Sequence, residues 1–168
     1  MINWQYYPKS DSIPKHLESV IRVFDESLLW IDSENHSLTS NEVLELLRLG
    51  FEELEFQVEK SKLRAETIHV PVLFGRNGKL EKSFDADAYS KGQKTVIEVE
   101  AGRAVSNYQF LKDLFQACMM HEIDFLVIAV RNVYLTKKDF EKVISFFDTL
   151  YASNRISLPL RGILVIGY

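Results

Sequence analysis

Apolar residues recur along most of this 168-residue chain at spacings that separate helices from strands. Over residues 14–29, Leu17, Val20, Ile21, Phe24 and Leu28, with Ile13 just ahead, fall three and four apart, which is the helical period. Ser12 stands in a capping place, and Pro14 is tolerated in a first turn. Residues 32–40 are polar and predict a loop. Thr39-Ser40-Asn41-Glu42 has the form of a capping box. It opens a second helix with Val43, Leu46 and Leu47 inward and Gly50 as its stop. Residues 51–60, FEELEFQVEK, fit a prolonged helix or a strand, and we read a strand from residue 54. Residues 68–74, IHVPVLF, predict a strand in which Pro71 needs an edge or a bulge. Residues 75–78, GRNG, are a turn.

Residues 83–102, SFDADAYSKGQKTVIEVEAG, make two alternating runs about a turn at 91–93. Phe84, Ala86 and Ala88 alternate with Asp85, Asp87 and Tyr89; Ile97 and Val99 alternate with Glu98 and Glu100. Strict alternation is the period of a half-buried strand, so a hairpin is predicted. Residues 104–121 predict a helix with Val105, Tyr108, Leu111, Leu114, Phe115 and Cys118 along one side and Gln109, Lys112 and Gln116 along another. Residues 125–130, FLVIAV, are continuously apolar, as in a central strand covered on both faces. Residues 137–151 predict a helix with Phe140, Val143, Ile144, Phe147 and Leu150 inward, and residues 163–166 a last strand. The strand–helix–strand crossover from Glu98 to residues 125–130 implies a parallel pair. The expectation is an α/β fold with a mixed β-sheet flanked by helices, in one domain over 1–168.

Composition is that of an ordinary globular protein, 46% apolar and 26% charged. The single cysteine, Cys118, excludes an intramolecular disulfide framework, and on its helix reads as a core thiol. No apolar run reaches membrane-spanning length, and MINWQYYPKS lacks a signal pattern. A cytoplasmic protein without membrane association is expected. The net charge of −4 argues against indiscriminate nucleic-acid binding. Its distribution is uneven. Residues 1–59 carry 4 basic and 12 acidic groups, residues 60–95 carry 8 and 4, and residues 96–168 carry 8 of each. Histidines 16, 36, 69 and 121 lack zinc-ligand spacing. Trp4, Tyr6 and Tyr7 could stack bases, but read rather as packing of the N-terminus or a dimer contact.

The hairpin sets Asp85 or Asp87 beside Glu98 and Glu100, because side chains two apart share a face. Crowded carboxylates raise one another's pKa or recruit a cation, and Mg²⁺ takes oxygen ligands. The same spacing also suits the solvated face of an edge hairpin.

An aspartate on one strand, a turn, an E-x-E ending the next strand, a helix and then an apolar strand resemble the PD-(D/E)XK nuclease superfamily over residues 51–131. Within it, IEVEAGRAVSNYQFLKDLFQACMM is most similar to restriction endonucleases of the BglII/BamHI type. Glu98, Glu100, Gly102 and Arg103 carry that resemblance. It implies a restriction-endonuclease-like fold and a Mg²⁺- or Mn²⁺-dependent endonuclease acting on DNA, with a homodimer as partner arrangement. The implied metal ligands are Asp87 (Asp85 as alternate), Glu98 and the Val99 carbonyl. Glu100 replaces the superfamily's common lysine and would act on the attacking water or hold a second cation. An acid from the first helices often completes such sites, here Glu45, Glu52 or Glu55. Ala86 stands where the motif has proline. The rival expectation is a non-catalytic interaction module that keeps the fold. Lys112, one helix on, could contact phosphate, but a solvated helix lysine is the favoured reading.

Overall fold

The computed structural model describes residues 2–61, 66–102 and 104–168; Arg103 therefore lies outside the described residues. A six-stranded mixed sheet has the order β1-β8-β7-β6-β5-β2. Its strands are β1 (Asn3–Tyr7), β2 (Gln57–Val58), β5 (Ala88–Ser90), β6 (Thr95–Glu100), β7 (Phe125–Val130) and β8 (Gly162–Gly167). Strands β6, β7 and β8 are parallel, and the outer pairs are antiparallel. Strands β3 (Ile68–Phe74) and β4 (Leu80–Ala86) form a separate two-stranded sheet. The α/β class and the mixed sheet are as expected.

Alternation sorts the central strands into two apolar faces. Ile97, Val99, Val127, Ala129, Leu164 and Ile166 face helices α1 (Lys15–Ile31) and α2 (Ser40–Glu53) through Leu17, Phe24, Leu47 and Phe51. Val96, Leu126, Ile128, Val130, Ile163 and Val165 face α3 (Gln109–Met119) and α4 (Asp139–Ser153) through Phe110, Leu114, Val143 and Phe147. Each face removes a large apolar area from water, which is the main term favouring the fold.

Local signals act mostly where expected. The Thr39 hydroxyl accepts from the Glu42 amide at 3.3 Å, and the Glu42 carboxylate accepts from the Thr39 amide at 2.7 Å, completing the capping box. Pro71 sits beside a register shift in the two-stranded sheet.

Several expectations are corrected. Pro14, not Ser12, occupies the α1 cap position. Gly50 does not end α2. It lies inside the helix because a Cβ there would meet Val23 Cγ1 at 2.7 Å, so the glycine lets α1 approach. The strand expected from residue 54 shrinks to Gln57–Val58, delayed by Glu55 at φ 64°. Residues 3–7 pair with β8 as an edge strand. Tyr7 is fully buried in it and donates to Asp148 at 2.7 Å.

Helix α3 begins at Gln109, five residues later than expected. Gly102 turns the chain at φ 118°, where a Cβ would strike the Tyr134 ring, and Tyr108 enters the helix at φ 52°. The buried side of α3 is Phe110, Leu114 and Ala117, while Tyr108 and Phe115 are exposed.

Candidate active site

Strand β6 places Glu98 and Glu100 on the apolar face covered by α3 and α4. Their register partners on β7 are Ile128 and Val130. Two acids therefore stand where the neighbouring strand carries aliphatic side chains. An ionised carboxylate at such a place is costly unless something offsets it. The space before them is an open cavity of about 480 Å³. Its walls include Lys82–Asp87 from the end of β4, Glu98–Glu100 from β6, and Gln109, Lys112, Asp113 and Gln116 from α3. Ser40, Asn41 and Glu59 also line it.

The two candidate aspartates separate here. Ala86 packs into the α3/α4 core and Ala88 into the α1/α2 core, although in one continuous strand they would share a face. The chain changes sheets at Asp87, so parity fails there. Asp85 remains on β4 and lines the cavity, but its carboxylate is held at 2.6 Å by His69 Nδ1 across the two-stranded sheet. Asp87 Oδ2 instead accepts from the Val99 amide at 2.8 Å. A strand residue's N–H and C=O share an edge, so the Val99 carbonyl opens toward Asp87 as well. The Asp87 carbonyl accepts from the Glu59 amide at 2.8 Å, which sets β2 against the break.

The geometry thus brings Asp87, Glu98, Val99 and Glu100 to one cavity and leaves out all three helix acids. Glu45 is exposed and paired with Arg48, and Glu52 and Glu55 are exposed; none lines the cavity. Glu59, buried just after β2, lines it instead. Asp113 is the other acid that the sequence reading missed. It is 2% exposed on the cavity side of α3. The polar side Gln109, Lys112 and Gln116 could have led to it, since Asp113 lies four residues after Gln109.

Electrostatics tie the acids together. Burial, then the carboxylates of Asp87, Asp113 and Glu100, push Glu98 well above the usual carboxylate range. Burial, then Asp113 and Asp87, push Glu100 up to about 8. Burial raises Asp113 to about 6 against the pull of Lys112. Lys112 Nζ lies 3.6 Å from Asp113 Oδ1 and is half exposed. The donor set is all oxygen, as a hard divalent cation requires, and a cation would relieve the repulsion. Among the described residues, no three His, Cys, Asp or Glu side chains already stand arranged to hold an ion. The site thus fits such an ion by the chemistry of its oxygen donors.

A mixed sheet flanked by helix pairs, with acids at its antiparallel–parallel junction, defines a restriction-endonuclease-like α/β fold. Among solved structures, the chain is similar to the crystal structure of free BglII, with a TM-score of 0.51 and 12% identity, over 99% of this chain and 78% of that one. At that identity the likeness is one of fold. No protein-family model and no curated protein matches the chain. Among the described residues, no helix is long and apolar enough to cross a membrane.

Proposed function

We propose that this chain is a metal-dependent endonuclease hydrolysing DNA phosphodiester bonds, with a site of the PD-(D/E)XK type in which Glu100 stands at the lysine position. The observation that carries this reading is the convergence of Asp87, Glu98, Val99 and Glu100 on one open cavity with Lys112 at its rim. The fold shared with BglII supports it.

The Asp87 and Glu98 carboxylates and the Val99 carbonyl would hold Mg²⁺ or Mn²⁺. A bound ion of that kind lowers the pKa of water and offsets charge on a phosphate oxygen. Glu100 takes the proton of the attacking water at its carboxylate, a role suited to a group buried enough to keep affinity for protons near neutral pH. Lys112 meets the phosphate from the α3 side with its half-exposed ammonium. Two copies of the chain would serve the two strands of a duplex. One domain spans 1–168 in this reading.

Purified protein is incubated with plasmid and single-stranded DNA in Mg²⁺ or Mn²⁺. Cleavage that Glu98→Ala abolishes is expected. Absence of both Mn²⁺ binding by calorimetry and cleavage of any DNA overturns the reading. A Glu98→Gln protein whose metal response equals that of wild type, without cleavage by either, would instead favour a non-catalytic interaction module.

A further inference from the structure

Strands β3 and β4 run outward from the core as a two-stranded arm. Its base is built in, because Ile68, Val70 and Ala86 belong to the core under α3 and α4. The His121 amide donates to the Pro71 carbonyl at 2.8 Å, and the Phe74 and His121 rings meet edge to face at 5.1 Å. Farther out the arm stands in water: Leu73, Phe74 and Leu80 are all exposed. A lone hairpin is marginally stable in water, so this outer half leans on its base and contributes little to the fold.

The outer half is basic in an acidic protein. Residues 75–82 carry Arg76, Lys79 and Lys82 against Glu81 alone, whereas the chain has a net charge of −4. The Glu81 carboxylate folds back over Gly75, where an added Cβ would strike it. Arg76, Lys79 and Lys82 are exposed, and among the described residues none of them is in an ion pair. Lys82 Nζ lies 5.3 Å from the centre of the Phe84 ring, and both residues line the cavity that holds Glu98 and Glu100. The cations thus run from the cavity wall to the tip of the arm. The three residue steps from Lys82 to Lys79 cover about 10 Å, the axial length of about three base pairs. Exposed, unpaired cations in a row suit a phosphate backbone, whose counterions they release. Resting on the nuclease reading above, we propose that Arg76, Lys79 and Lys82 hold duplex DNA by its phosphates beside the point of cleavage, without regard to sequence.

The test reads binding apart from cleavage. Fluorescence anisotropy follows labelled duplexes of about thirty base pairs, in two unrelated sequences, with Ca²⁺ in place of Mg²⁺ and over a range of salt. Arg76→Gln with Lys79→Gln should weaken binding about tenfold on both sequences and lower the slope of log affinity against log salt by about two. Lys15→Gln with Lys91→Gln removes the same charge at the other end of β6, where the His16 ring meets the Thr95 hydroxyl at 3.2 Å. That pair should stay within about twofold of wild type, because exposed charges beyond the screening length act weakly. Circular dichroism checks folding. Should the tip pair not fold, Lys79→Gln alone must lower the slope by about one. A folded tip variant that binds like wild type overturns the inference. Equal losses in the two pairs overturn it too, since net charge alone would then explain them, and so does a loss confined to one sequence. Plasmid cleavage in Mg²⁺ or Mn²⁺ separates this inference from the proposed function. If wild type cuts DNA and the tip variant binds as tightly, the arm falls and the proposed function stands. If duplex is held through the tip and never cut, the arm stands and the endonuclease falls. If wild type neither binds nor cuts, both fall.

Discussion

The Val99 amide donates a 2.8 Å hydrogen bond to Oδ2 of Asp87. The residue at which the chain changes sheets is thereby fastened to the strand that carries both glutamates. A charged acceptor on a backbone amide is among the stronger hydrogen bonds a protein makes. Asp87 is therefore positioned by backbone, whereas Asp85 is positioned by His69 on the other sheet.

That difference predicts unequal mutants. Asp87→Asn should lower Mn²⁺-dependent cleavage by more than about a hundredfold, beyond the usual loss for an outer partner of a metal ligand. Asp85→Asn should stay within about tenfold of wild type. Rates of plasmid nicking under matched conditions compare the two. Equal losses would remove the special role of Asp87.

The site's acids also predict how metal-free stability varies with pH. Glu98, Glu100 and Asp113 bind protons more tightly in the folded chain than in the unfolded one, because burial and one another's charge raise their pKa values. For Glu100 the penalty is absent below the ordinary value of 4.5 and complete above the raised value of about 8; for Asp113 it develops between 3.8 and about 6, and Glu98 adds to it in the same direction. Stability contributed by these groups therefore falls as pH rises through that window. His16, lowered by burial, opposes this on the acid side because it must charge there. The fall should be clearest above about pH 6.5. Calorimetric melting in EDTA should show it, and Glu98→Gln should melt higher than wild type near pH 8 with a flatter profile. Saturating Mn²⁺ should flatten the wild-type profile, because an ion favours the ionised acids. A wild-type melting temperature that climbs steadily from about pH 6.5 to about pH 8 in EDTA would contradict the electrostatics.

Helix α2 brings Ser40 and Asn41 to the site, and the Ser40 hydroxyl is bonded to its backbone. Ser40 Oγ accepts from the Ala101 amide at 2.9 Å, holding the chain just beyond Glu100. Ser40→Ala should cost about 1 kcal/mol by urea denaturation. Cleavage should fall further, by roughly tenfold, because the end of β6 loses its tether. A loss of stability with an unchanged rate would show that Ser40 serves the fold alone.

Legibility in the sequence followed the range of the interactions. Glu98 and Glu100 stand out because E-x-E falls on a strand whose intervening residues are apolar, and β7 reads as central because FLVIAV is covered on both faces. Asp87 and Asp85 could not be separated by alternation, which holds only within one sheet, and the chain leaves one sheet for another at Asp87. Strand β1 was missed because its partner Gly162–Gly167 lies at the far end of the chain. Asp113 was missed because Val105 and Tyr108, which precede the helix, were counted into its apolar side and drew Phe115 in with them. Within Gln109–Met119 the buried residues are Phe110, Asp113, Leu114 and Ala117, and Phe115 is exposed. Gly50 was read as a stop because its packing role depends on Val23 in another helix.

Gly50 supplies a test of that packing. Alanine is the better helix former by about 1 kcal/mol, so an unpacked position would gain stability from Gly50→Ala. Here the added Cβ would lie 2.7 Å from Val23 Cγ1 and 3.0 Å from Cγ2. Both atoms belong to a β-branched side chain with little freedom to turn away in a helix. Overpacking of this kind costs about 1–3 kcal/mol, which outweighs the gain in propensity. Gly50→Ala should therefore destabilise the protein by about 1 kcal/mol in urea denaturation. The cost should shrink or reverse when Val23 is already alanine, because the clash is then gone. Double-mutant-cycle coupling of at least about 1 kcal/mol between the two positions is expected. Additive effects, or a stabilised single mutant, would mean that α1 and α2 do not meet at this glycine.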